Sequence, residues 1–207
     1  MERKKTHIEE IDRGLYDIYD TSHSSEQVAP GLTEEIVYEI SARQNEPEWM
    51  LQFRLRSLEI FNKLEMPVWG PSLHELDMNQ IVTYVRPDAH MTDDWRKLPD
   101  DISATFDRLG IPKAEREYLG GVGAQYDSEV VYHSMKQQLK DIGVIYTDMQ
   151  TALREHEDLV RKYFMKQLPP SEHKFMALHG AVWSGGSFVY VPEGVTVDMP
   201  LQSYFRL

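Results

Sequence analysis

The sequence predicts an α+β protein in which a mainly helical domain over residues 31–170 is followed, over 171–207, by the first strands of a larger β domain. Three observations predict this. Apolar residues recur at helical spacing from about Leu32 to Leu168. Pro169 and Pro170 then close the last helical run, because proline lacks the amide hydrogen that a helix needs. From Ser171 the pattern changes to glycine pairs, a V-P-E-G turn and an alternation that points Val195, Val197 and Met199 the same way. Phe188–Leu207 therefore reads as at least two short strands with nothing after them to cover their edges. The expectation is that they begin a β domain of which this chain holds only the start.

Residues 1–30 are charged and polar, without a period, and read as a flexible arm that docks through Leu15, Tyr16, Ile18 and Tyr19. Thr33 is a helix N-cap with Glu34 and Glu35 in the electropositive first turn, and Leu32 and Val37 form a hydrophobic staple. A second helix opens at Pro47, whose missing N–H would be unpaired in a first turn anyway. Its apolar stripe is Met50, Leu51, Phe53, Leu55, Leu58, Phe61 and Leu64, and Arg54 and Arg56 fall on the expected wet side. After the P-V-W-G-P-S loop, with Trp69 as its anchor, the β-branched and aromatic run Ile81–Arg86 predicts a short strand before Pro87.

Asp100 and Asp101 open a helix bearing Ile102, Phe106 and Leu109, which Gly110 ends, and Pro112 starts another that runs to Leu119. Residues 120–125, GGVGAQ, read as a flexible link between helices. Ser128 would cap a helix carrying Val131, Met135 and Leu139, broken at Gly143, with a short strand at Val144–Tyr146. Thr147-x-x-Gln150 is a capping box for one long helix through Leu153, Val160, Phe164 and Leu168.

Composition bounds the function. Apolar residues make up 41% and charged residues 27% of the 207, as in a folded soluble protein. The net charge of −12, from 34 acidic against 22 basic residues, repels phosphate backbones and anionic lipid, so nucleic-acid and membrane partners are not expected. The N-terminus has no apolar core of a secretory signal, and no run approaches the roughly 18 apolar residues of a membrane span. A cytoplasmic location is the expectation. The sequence contains no cysteine, which rules out disulfides, thiolate ligands and cysteine nucleophiles within it.

No motif here assembles an active site. Neither His74-Glu75 nor His156-Glu157 is followed by a second histidine at zinc-helix spacing, and His173 and His179 lack a nearby third ligand. GGVGAQ lacks the third glycine of the dinucleotide fingerprint. Trp183-Ser184-Gly185-Gly186 could cradle an anion, but Ser184 has no G-x-S-x-G setting and no P-loop lysine accompanies it, so tight backbone packing against Trp183 is preferred. Asp93-Asp94 and Asp100-Asp101 read as loop and helix-start residues. The expected catalytic, cofactor-binding and metal residues within this chain are therefore none.

Long runs nevertheless carry a resemblance. HGAVWSGGSFVYVPEGVTVDMPLQSYFRL at 179–207 closely resembles the start of the β domain of the SufB family, the scaffold subunits of the SUF iron–sulfur cluster assembly system. NEPEWMLQFRLRSLEIF at 45–61, WGPSL at 69–73, FDRLGIPKAEREYLGGVGAQYDSEVVYH at 106–133 and LPPSEHKF at 168–175 resemble the same family. The resemblance runs from about Gly31 to Leu207 and covers rather less than half of the family pattern.

The resemblance implies a helical domain followed, from about residue 180, by the first turns of an incomplete right-handed β-helix. It implies a non-enzymatic scaffold whose family partners are the SufC ATPase and SufD in a SufBCD complex, supplied by a sulfur donor protein. The family's sulfur-transfer cysteine and its C-terminal acidic and histidine residues would lie beyond Leu207, so no cofactor is expected in this chain, while an iron–sulfur cluster is implied for the full-length family protein. The chain alone is then expected to be inactive in assembly. An alternative from another class is a helical protein-binding module whose acidic surface recruits a sulfur-transfer partner. One or two rungs of a solenoid cannot cover their own apolar faces, so self-association through the β edge, or disorder after about residue 185, is a further expectation.

Overall fold

The computed structural model describes residues 24–108 and 119–206. The arm contacts expected of Leu15, Tyr16, Ile18 and Tyr19, the Gly110 cap and the helix opening at Pro112 lie outside the described residues.

The first helix, α1 (Glu34–Arg43), starts as its sequence requires: the Thr33 hydroxyl accepts the Ile36 N–H at 3.4 Å. Helix α2 (Glu48–Lys63) follows Pro47, which sits in the extended N-cap position. Both turn their apolar stripes inward, and Val37, Ile40, Met50 and Leu58 are fully or almost fully buried. The helix that covers them comes from far along the chain. This is the last one, Lys174–Val182, whose Ala177 and Ala181 are fully buried. Gly180 permits the close crossing, because a Cβ there would lie 2.6 Å from Ser57 Oγ.

The strand β1 (Ser24–Gln27) pairs antiparallel with β2 (Val85–Pro87), and the segment just before β2 continues the attachment through Val28 N–H to Tyr84 O and Gly31 N–H to Ile81 O. Helix α3 (Asp100–Arg108) lays Ile102 and Phe106 over Val122, Ala124 and Val131.

Those last three residues belong to strands, which corrects the reading of 120–135 as a hinge and a helix. Gly121–Tyr126 is strand β3 and Glu129–Met135 is strand β4, an antiparallel hairpin with a register shift between Ala124 and Gln125. The glycines are there because another side chain needs their space. A Cβ on Gly121 would lie 2.5 Å from the Tyr146 ring, and one on Gly123 would lie 3.0 Å from its hydroxyl. After the short helix α4 (Gln137–Asp141), Tyr146 is delivered by strand β5 (Ile145–Asp148).

The helix expected over 147–168 is two helices, α5 (Met149–Glu155) and α6 (Glu157–Tyr163). His156 separates them with a non-helical backbone, φ −133° and ψ 38°. The cap is Asp148, one residue after the predicted Thr147, and its carboxylate accepts the Thr151 N–H at 2.9 Å. The helix Lys174–Val182 is then α7.

The tail does not form a right-handed β-helix, and the fold is α+β with helices and strands mixed along the chain. Strand β6 (Ser187–Tyr190) pairs antiparallel with β5, and strand β7 (Leu201–Arg206) pairs parallel with β3, in the order β4-β3-β7. No sheet among the described residues closes or curls on itself. The physical reason is partner choice: β6 pairs with residues 39 to 45 positions earlier (Ser187 with Asp148, Tyr190 with Ile145) and β7 with residues 80 positions earlier, instead of the two stacking on one another as rungs.

Candidate functional site

The segment Trp183–Ser187, which links α7 to β6, sits where the helices meet the β3–β4–β7 sheet. Its anchor is Arg54, expected on the wet face of α2 but completely buried. The Arg54 guanidinium donates to the carbonyl oxygens of Ala181 and Trp183 at 3.0 and 2.8 Å and lies 4.7 Å from the centroid of the Trp183 ring. Glu46 neutralises it in a two-point ion pair at 2.7 and 2.6 Å, the two side chains being 0% and 1% exposed. Arginine suits this place because its planar fork can bind a carboxylate and two carbonyls together. The C-terminus of α7, where carbonyls have no helical acceptor role left to fill, is thus held by a buried cation.

The next two residues are fixed from the sheet side. Gly185 and Gly186 have φ of +62° and +96°, and a Cβ on Gly185 would overlap the carboxamide of Gln125. Gln125 is buried. It accepts the Gly186 N–H at 2.8 Å and donates to the Asp127 carbonyl at 2.8 Å. The hairpin, the glycine turn and the end of α7 are therefore one hydrogen-bonded unit.

Between these parts lies an open cleft of about 630 Å³, with Tyr84, Met149, Phe164, Trp183 and Phe205 among its apolar walls and Thr83, Asp127, His179 and Ser184 among its polar ones. Two lining residues hold a shielded polar atom without a hydrogen-bond partner, the Trp183 indole N–H and the Thr83 hydroxyl. Leaving such a group unpaired costs about 1–3 kcal/mol. Burial, and secondarily the positive charge of Arg54, push the His179 imidazole below its ordinary pKa, so it is neutral near pH 7.

Beside Gly121 and Gly123 of β3, the Tyr146 hydroxyl reaches across to β7, bonding the Gln202 carbonyl at 2.6 Å and the Ser203 hydroxyl at 2.8 Å. Ser203 in turn meets Ser187 at 2.6 Å, which joins β7 to β6. His133 packs edge-on against Tyr146, ring centroids 4.7 Å apart, and burial is the main influence lowering its pKa.

The motifs weighed in the sequence are dispersed. His74 is exposed and bonds Ser72, His156 stacks on Phe188, and the His173 ring accepts the Phe175 N–H as the cap of α7. Asp94 caps the 3-10 turn Trp95–Lys97, and Asp100 begins α3. His179, the Trp183–Gly186 segment and Gln125 at the end of GGVGAQ reach the cleft. Among the described residues no group of three or more His, Asp or Glu could hold a metal ion, and no helix is long and apolar enough to cross a membrane. Sequence reasoning missed Arg54, Thr83 and Gln125. A signal existed for Arg54 alone, since it falls between Met50, Leu51, Leu55 and Leu58 in the apolar stripe.

Residues 122–203 match a family described as SufBD protein N-terminal region, a span that runs from β3 into β7. An iron–sulfur cluster assembly SufBD family protein of Staphylococcus epidermidis is 52% identical over 192 residues, covering 93% of this chain and 41% of the relative. SufBD family proteins of Staphylococcus haemolyticus and Staphylococcus aureus are each 51% identical over the same length and with the same coverage. The chain thus spans 41% of the length of the curated relatives it matches.

Proposed function

We propose that the chain belongs to the SufBD iron–sulfur cluster assembly family, over its N-terminal region, and that it is the N-terminal part of a SufB-type scaffold working in the cytoplasm. The observation that carries this reading is the 52% identity sustained over 192 residues, helices and strands alike. Its contribution is structural. Arg54 and Gln125 lock the α1–α2–α7 layer to the β3–β4–β7 sheet, giving a rigid platform on which partners can assemble. With no cysteine in the sequence, thiolate ligation of a nascent cluster and persulfide transfer fall to other polypeptide. We place a SufC-type ATPase and a SufD-type subunit as its partners.

The test is affinity purification of this chain, tagged at its native locus, from cells grown under iron limitation. The ATPase and the second SufBD-family subunit are expected to co-purify in fixed ratio. Recovery of neither would overturn the scaffold reading. Recovery of a sulfur-donor protein without the ATPase would replace it by the recruiting-module reading.

A further inference from the structure

We propose that His133 is an acid-responsive latch: its neutral ring packs against Tyr146 between β4 and β5, and its protonated ring turns out into the open cleft beside residues 88–99, which loosens the seat of Tyr146 and the strand that carries it.

His133 stands where three parts of the fold join. Its backbone N–H donates to the Thr92 carbonyl at 3.0 Å, which fixes β4 to the segment bordering the open cleft. Its ring meets the Tyr146 ring edge-on, with centroids 4.7 Å apart. That same Tyr146 ring fills the space that a Cβ on Gly121 would need. A side chain that supports Tyr146 therefore supports the contact of β5 with the β3–β4 hairpin.

The ring's Nε2 is shielded from solvent and has no hydrogen-bond partner. A neutral imidazole tolerates this, because it can carry its one proton on Nδ1 and leave Nε2 bare. The imidazolium does not, since both nitrogens then donate and a shielded, charged N–H without an acceptor is costly. The gap that His133 shares with Gly123, Asp148, Ser187 and Ser203 has no room for water. His133 also borders an open cleft of about 730 Å³, whose walls include Asp88, His90, Asp93 and Lys97. A ring turned that way gains hydration and two exposed carboxylates, which His90 and Lys97 offset in part.

On the packed side, Asp148 of β5 attracts a charged ring and Lys140 of α4 repels it. The Asp148 carboxylate is already engaged, accepting the Thr151 N–H at 2.9 Å as the cap of α5. The other groups around the gap, Tyr204 of β7 and Gln125 of β3 among them, have uncharged side chains. Burial outweighs the pull of Asp148 and holds the His133 pKa below its ordinary value. The packed ring therefore prevails above about pH 6.5 and is lost as pH falls through the lower value of the folded protein. This inference rests on the surroundings of His133 and does not depend on the cluster-assembly reading.

The test follows the ring resonances of His133 and Tyr146 in the isotopically labelled 207-residue protein from about pH 8 to 5, with amide protection factors at each pH. Both rings are expected to shift with one midpoint below about 6.5. Protection of residues 145–148 should fall about two- to tenfold, the worth of one aromatic contact, while α2 stays protected. His133→Phe keeps a ring but takes no proton, so Tyr146 and β5 should not change across the range. His133→Gln has neither ring nor proton, and β5 should show the lowered protection at every pH. Asp88→Asn together with Asp93→Asn, at exposed positions, should move the midpoint to lower pH. The latch is overturned if His133 titrates while Tyr146 stays unmoved, or if α2 loses protection equally. It is also overturned by a pH step that survives in both His133 variants, or by a midpoint that the double asparagine variant leaves in place.

Discussion

Arg54 and Glu46 are a buried ion pair whose carbonyl partners lie 127 and 129 residues away in sequence. Removing one charge leaves the other uncompensated in a dry setting. Arg54→Met is expected to cost about 3–5 kcal/mol in urea unfolding, and adding Glu46→Leu to recover part of that loss. Gly185 is constrained twice, by a positive φ and by the Gln125 carboxamide in the place of a Cβ. Gly185→Ala should cost about 1–3 kcal/mol or more by the same measurement. The buried histidines give a pH dependence of definite sign. His133 and His179 both have lowered pKa values, in each case chiefly through burial; Asp148 opposes the shift at His133, while Lys140 supports it. The unfolded chain therefore binds more protons than the folded one. Their contribution is fully present above the unfolded value of about 6.5 and is lost as pH falls through the folded values. The urea midpoint should drop between about pH 7 and 5, and a His133→Gln, His179→Gln variant should show a shallower slope. An unchanged slope would mean that neither ring is held neutral.

At the scale of elements, the attachment of β7 is the informative case. It pairs with β3 along one edge and is tied to β5 by a single phenol, that of Tyr146. Tyr146→Phe removes those bonds but keeps the ring over Gly121. Amide exchange in residues 201–206 should then quicken severalfold, consistent with a loss of about 1 kcal/mol, while α2 and α7 stay protected. Gly121→Val attacks the ring itself and should destabilise the hairpin by about 1–3 kcal/mol. These two positions also show why β3 was not legible. In the sequence, glycines at 120, 121 and 123 lower strand propensity and suggest a link. For Gly121 and Gly123 the actual cause is a tyrosine ring from a strand more than twenty residues later, and for Gly120 it is the Leu139 side chain, and no local pattern announces either. Helices α1 and α2 were legible because Thr33, Pro47 and the apolar stripes state their own limits within a few residues.

Over the whole molecule, the same division holds. Period and capping chemistry, read from the sequence by itself, determined α1, α2 and α3, since these depend on side chains three or four positions apart. The quoted runs also determined the family resemblance, and the lack of cysteine determined that no thiolate chemistry resides in these residues. Tertiary structure alone decided three things. It turned Arg54 from a solvent-facing residue into the clamp on α7, because its partners are remote carbonyls. It paired β6 with β5 and β7 with β3, replacing the expected β-helix start, because strand edges are satisfied by whichever partners the fold brings near. And it opened the cleft beside Trp183, which is bounded by residues from 82 to 205 and has no signature in any one stretch of chain. Local geometry follows from neighbours in sequence, whereas a clamp, a sheet order and a cleft are each made by groups that meet only after the chain has folded.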